Sequence, residues 1–81
     1  MIEAYVLIQV GIGLSRAISG DVARAPGVEW ADDVAGPYDI IARVRAADLD
    51  ELAKVVVTEI QACNGVTRTL VCAVPGSEDT T

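Results

Sequence analysis

Histidine and phenylalanine are absent from these 81 residues, and the aromatic set is one tryptophan and two tyrosines. Without histidine there is no imidazole to serve as acid, base or metal ligand near neutral pH. Lysine occurs once, as Lys54, so no glycine-rich turn is followed by the lysine of a phosphate-binding loop. The two cysteines, Cys63 and Cys72, are too few and too close for a zinc cluster or a disulfide framework. Both are read as buried free thiols, which fits a reducing compartment. Acidic residues outnumber basic ones twelve to six, for a net charge of −6. That balance disfavours the nucleic-acid backbone, which needs clustered lysine and arginine. A long apolar run is missing too. Ala4 to Val10 is interrupted by Gln9 and is far short of a membrane span, and Met1-Ile2-Glu3-Ala4 lacks the basic start of a signal peptide. The expected location is the cytoplasm.

What is present is apolar: 52% of the residues, too many for a disordered chain. Eighty-one residues make one domain, and folding at this size hides only roughly 60–65% of the extended surface. Residues 3–10 read as a strand that ends at Gly11-Ile12-Gly13. Leu14, Ala17, Ile18, Val22 and Ala25 then share a helical face until Pro26-Gly27. Val28 to Val34 alternates as a second strand, with Val28, Trp30, Asp32 and Val34 on one side. Asp39 to Ala46 alternates as a third, and Ala35-Gly36-Pro37-Tyr38 is the turn between them. Asp48, with Glu51 three residues on, caps a second helix. Its expected stripe is Leu49, Leu52, Ala53, Val56, Ile60 and Cys63, with Val55 and Val57 off it, and Asn64-Gly65 ends it. Val66 to Val74 is the fourth strand. The domain is expected over 1–75, with 76–81 a polar flexible tail.

The order β-α-β-β-α-β is the ferredoxin-like arrangement, an α+β fold with two helices on one face of a four-stranded antiparallel sheet. The other face is bare. In the first strand Tyr5 and Leu7 lie there between Glu3 and Gln9. A partly apolar open sheet on a chain this small predicts a second copy packed sheet to sheet, a dimeric α/β sandwich or barrel.

Few motifs carry chemistry. Gly11-Ile12-Gly13 has Arg16 where a dinucleotide fingerprint needs a third small residue, so it is read as a tight turn. Asp32 and Asp33 are adjacent in a strand, point to opposite faces and do not converge on one ligand. No nucleophile–base pair is evident. No catalytic residue, metal site or cofactor is expected. The segment Gly36-Pro37-Tyr38-Asp39 is the most unusual. It offers close backbone approach, a ring with a hydroxyl, and a carboxylate able to accept from an ammonium group. It is open to two readings: a hold on a small zwitterion, or a turn whose aspartate bonds its own backbone.

Gly36-Pro37-Tyr38-Asp39-Ile40, a helix, and then Asn64-Gly65-Val66-Thr67-Arg68-Thr69 resemble the effector domain of the Lrp/AsnC regulators, the RAM domain. Ala4-Tyr5-Val6-Leu7-Ile8 is similar to that family's first strand, and the resemblance covers about residues 3–74. It implies a ferredoxin-like dimer, often in rings of dimers, with an amino-acid effector held between dimers. The matching positions are Gly36, Pro37, Tyr38 and Asp39 in the turn and Thr67 and Thr69 on the last strand. Family regulators carry a helix-turn-helix domain ahead of this region, whereas here the sequence begins at the effector domain. The expectation is therefore an effector-binding and assembly module without direct DNA binding, which pairs with itself or with full-length regulators. Two alternatives share the topology: a small dimeric α/β-barrel enzyme of the monooxygenase or isomerase type, and an ACT-like sensor with side-by-side sheets. The lack of histidine and phenylalanine speaks against the enzyme.

Overall fold

The chain runs β1 (Ile2–Val10), α1 (Ser15–Ala23), β2 (Val28–Asp33), β3 (Ile40–Ala46), α2 (Leu49–Val55), a π-helical turn (Val56–Ile60) and β4 (Val66–Ala73). The computed structural model describes residues 1–76. Of the expected tail only Gly76 falls within it, and 77–81 lie outside the described residues. All strand pairs are antiparallel, in the order β2-β3-β1-β4. Alternation in the two central strands sets the layout. Ile2, Ala4, Val6 and Ile8 of β1 and Ile40, Ala42, Val44 and Ala46 of β3 are buried. The helices cover them with Ile18 and Val22 from α1, Leu52 and Val55 from α2, and Val56 and Ile60 from the π turn. Among the described residues no polar or charged one is buried, so burial of apolar surface holds the layers together. No described helix is long and apolar enough to cross a membrane.

Four details differ from the sequence reading. The α-helical part of the first helix is shorter than expected. Leu14 stands just before it as the N-cap residue and is 43% exposed, and Ala17 is exposed as well. In β2 the alternation breaks. Val28 pairs with Val44 but Trp30 pairs with Arg43, leaving Glu29 as an extra residue. This bulge sends Val28 and Ala31 to the helix side and Trp30 to the open side. The second helix changes pitch at Val56. There the amide of Gln61 donates to the carbonyl of Val56 at 2.8 Å, the five-residue spacing of a π-helix. The buried stripe includes Val55 and drops Leu49, which is 65% exposed, and Ala53, which is exposed as well. Finally, Cys63 is half-buried and Cys72 is exposed. Cys72 pairs with Tyr5, a residue of the open face of β1, so no layer covers it.

The open face has two halves. Leu7, Ile41 and Leu70 lie side by side across β3, β1 and β4, and Leu70 is 47% exposed. Beside them Arg43 donates to the Tyr5 hydroxyl at 2.6 Å and to Glu3 at 2.7 Å, and it pairs with Glu29 at 3.3 Å. Arg45 pairs with the same two glutamates at 3.5 and 3.7 Å. The guanidinium of Arg43 lies over the Tyr5 ring, 5.0 Å from its centroid, and Trp30 is tilted against that ring. Desolvation works against the charge of Arg43. Tyr5, Glu3 and Glu29 outweigh it, and its pKa is raised.

Candidate functional site

The hairpin turn and the start of β4 reach the same end of the sheet because β1 lies between β3 and β4. The amide of Val34 donates to the carbonyl of Asp39 at 2.9 Å and closes the turn, and the amide of Asp39 donates to the carbonyl of Ile8 at 2.9 Å. The Gln9 side chain donates to the carbonyl of Pro37 at 3.2 Å. Gly36 and Pro37 are exposed at the tip, while Tyr38 and Asp39 are half-buried. A methyl group on Gly36 would meet nothing within 4 Å, so its backbone is open to approach.

One peptide unit, between Gln9 and Val10, is held from both edges. Its N–H donates to Oδ2 of Asp39 at 2.9 Å. Its carbonyl accepts from the Thr67 hydroxyl at 3.1 Å. With the peptide itself between them, the two side-chain oxygens lie up to about 8 Å apart. The structure thus brings the turn and the strand to one place but on opposite sides of β1. Thr67 reaches that position because it is the extra residue of a second bulge: Gln9 pairs with Arg68, Val10 with Val66, and Thr67 with neither.

Thr69 follows the regular ladder, opposite Ile8. Its hydroxyl oxygen accepts from Nε2 of Gln61 at 2.8 Å. Gln61, Val66, Thr67, Arg68 and Thr69 line a surface concavity of about 300 Å³, at the lower bound of roughly 300–1,000 Å³ for small-molecule sites. No turn residue lines it. Sequence reasoning missed Gln61 and Gln9. Gln9 interrupts an apolar strand, which was the available signal. Gln61 gave none, because its reach to Thr69 follows the π turn. A second concavity of about 310 Å³, lined by Leu49, Leu52, Ala53, Val56, Val57 and Val71, is apolar throughout and lies away from these residues. Neither groove holds a nucleophile beside a base. The nearest reactive group, the Cys63 thiol, donates to the carbonyl of Glu59. Its pKa is raised by desolvation first and then by Asp21 and Glu59, which keeps it protonated and unreactive.

Residues 3–74 match the family model of the Lrp/AsnC ligand binding domain. The chain belongs to that family. An HTH-type transcriptional regulator from Pyrococcus furiosus is 36% identical over 70 residues, which is 83% of this chain and 47% of the regulator. The chain therefore spans about half the length of the curated relatives it matches. Among solved structures, TTHA0845 from Thermus thermophilus superposes with a TM-score of 0.86 and 38% identity, covering 91% of this chain and 92% of that one. The transcriptional regulator NMB0573 of Neisseria meningitidis, solved as its L-Met complex, shares the fold with a TM-score of 0.79 and 16% identity, over 90% of this chain and 49% of that one. This Lrp/AsnC chain carries that family's ligand binding domain, and the curated relatives it matches are transcriptional regulators. The ferredoxin-like order of elements is as expected, and the barrel-enzyme alternative falls away.

Proposed function

We propose that this chain binds an amino acid or a similar small metabolite between copies of itself, and that binding governs their assembly. The hairpin residues Gly36, Tyr38 and Asp39 form one half of the site, with Pro37 at its variable position. Thr67 and Thr69 form the other half. The observation that carries the reading is the two-sided hold on the Gln9–Val10 peptide. It keeps both halves ready on opposite sides of β1, with the peptide itself filling the gap between them, so one amino acid does not enter there to bridge both within one chain. A turn from one copy facing a β4 strand from another completes the site. The L-Met complex of the structural neighbour supports an amino acid as the ligand class. The open sheet face supports a homodimer, and a second kind of contact extends dimers into a ring. Full-length regulators of the family are further partners on this reading. The acidic charge of −6 argues against direct contact with nucleic acid, and the protein acts in the cytoplasm.

The test is calorimetric titration of the wild type and Asp39→Asn with the twenty amino acids, with mass followed by light scattering. Asparagine keeps an oxygen for the Val10 amide but loses the charge that faces an ammonium group. A charge-assisted hydrogen bond is worth roughly 1.5–3 kcal/mol, so binding is expected to weaken about tenfold or more. Equal affinity in both proteins assigns Asp39 to structure alone. No binding by the wild type, and no change in mass, overturns the proposal.

A further inference from the structure

We infer that Gln61 is the specificity-determining residue of the β4 half-site, and that it selects amino acids whose side chain ends in a carboxamide over basic ones. The inference deepens the reading above and rests on it. The π turn carries Gln61 to β4, where its Nε2 donates to Thr69 Oγ1 at 2.8 Å. A carboxamide has two N–H donors and one oxygen acceptor. With one N–H spent on Thr69, Gln61 presents one N–H and its Oε1. Thr69 receives that bond on its oxygen, so its own proton is left to donate. The Thr67 proton is spent on the Gln9 carbonyl, so Thr67 presents only an acceptor.

The half-site therefore offers donors from Thr69 and Gln61 and acceptors from Gln61 and Thr67, all uncharged. The one charged residue lining the concavity is Arg68, a cation, and no carboxylate lines it. A ligand side chain ending in an ammonium or guanidinium group has only donors. It meets the Gln61 N–H unfavourably and finds no counter-charge. A carboxylate has Arg68 to pair with but leaves Oε1 of Gln61 facing an anion. A carboxamide satisfies Gln61 in both directions, donor to acceptor and acceptor to donor. Once the facing copy excludes water from the site, an analogue that lacks the matching group leaves polar atoms unpaired, which is the source of strong discrimination.

The experiment is calorimetric titration of the whole chain, wild type, Gln61→Met and Gln61→Glu, with L-glutamine, L-asparagine, L-lysine, L-arginine, L-leucine and L-methionine. Gln61 is exposed, and thermal melts of both variants check that they fold. The wild type is expected to bind glutamine or asparagine at least tenfold more tightly than lysine. Gln61→Met loses that preference, and Gln61→Glu shifts it toward lysine. A wild type that binds lysine, arginine, leucine or methionine best overturns the inference and leaves the proposed function standing, as does a preference that Gln61→Met does not alter. Binding of none of these six overturns the inference, whereas failure to bind any of the twenty amino acids in the titration above, with no change in mass, overturns the proposed function itself.

Discussion

Asp39 and Thr67 show why a residue's identity underdetermines its role. Both carry oxygen atoms suited to a zwitterion, and the sequence singled both out. Folding then commits Oδ2 of Asp39 to the Val10 amide and the Thr67 proton to the Gln9 carbonyl. Those commitments depend on strand order and on a bulge, which residue type does not reveal. Glycines make the same point from the other side. Gly65 has φ +104°, and a methyl group there would lie 2.7 Å from Cδ1 of Ile18 and 3.0 Å from Cδ1 of Leu14. Gly36, with nothing nearby, has no such constraint. Gly65→Ala is expected to cost about 1–3 kcal/mol, while Gly36→Ala stays within about 0.5 kcal/mol. Urea midpoints of the two variants against wild type measure both, and equal midpoints would refute the assignment.

Element existence and order were legible in the sequence because the apolar periods are strong: two in β1 and β3, and helical around Ile18–Val22 and Leu52–Ile60. The cap was legible as well. Oδ1 of Asp48 accepts from the Glu51 amide at 2.8 Å. Asp48→Ala is accordingly expected to lower stability by about 1 kcal/mol, read as a drop in the urea midpoint, whereas an unchanged midpoint would deny the cap its role. The irregular turns were not legible. Four β-branched residues in a row, Val55 to Thr58, give an α-turn weak support, but composition does not say where the pitch widens. The bulge at Glu29 hides likewise, since strict alternation through Val28, Trp30 and Asp32 reads as a regular strand. That misreading put Val28 and Trp30 on one face. Ion pairing with Arg43 and Arg45 is what occupies Glu29 in the folded chain.

For the whole molecule, the open face is the dominant fact. Leu7, Ile41 and Leu70 make an apolar patch beside an ion-paired one, on a sheet whose other face is covered by the helices over β1 and β3. Cys72 stands on this face, where apolar sequence neighbours had suggested a core thiol. A second copy laid sheet to sheet would cover all of it. The midpoint of urea unfolding is then expected to rise with protein concentration, and Leu70→Lys to make it lower and independent of concentration. A wild-type midpoint that does not move over a hundredfold range of concentration would leave the monomer as the stable unit. The two bulges bear on how such chains vary in length. Glu29 and Thr67 are spare residues, each the extra member of a strand pair. Deleting either restores a regular ladder and keeps every other side chain on its face. A one-residue deletion within the paired run of β1 or β3 would instead turn the side chains beyond it to the wrong face. Loss of a single residue is therefore expected to disturb the sheet less at 29 and 67 than within those runs, and of these the second already carries a hydroxyl at the proposed ligand site.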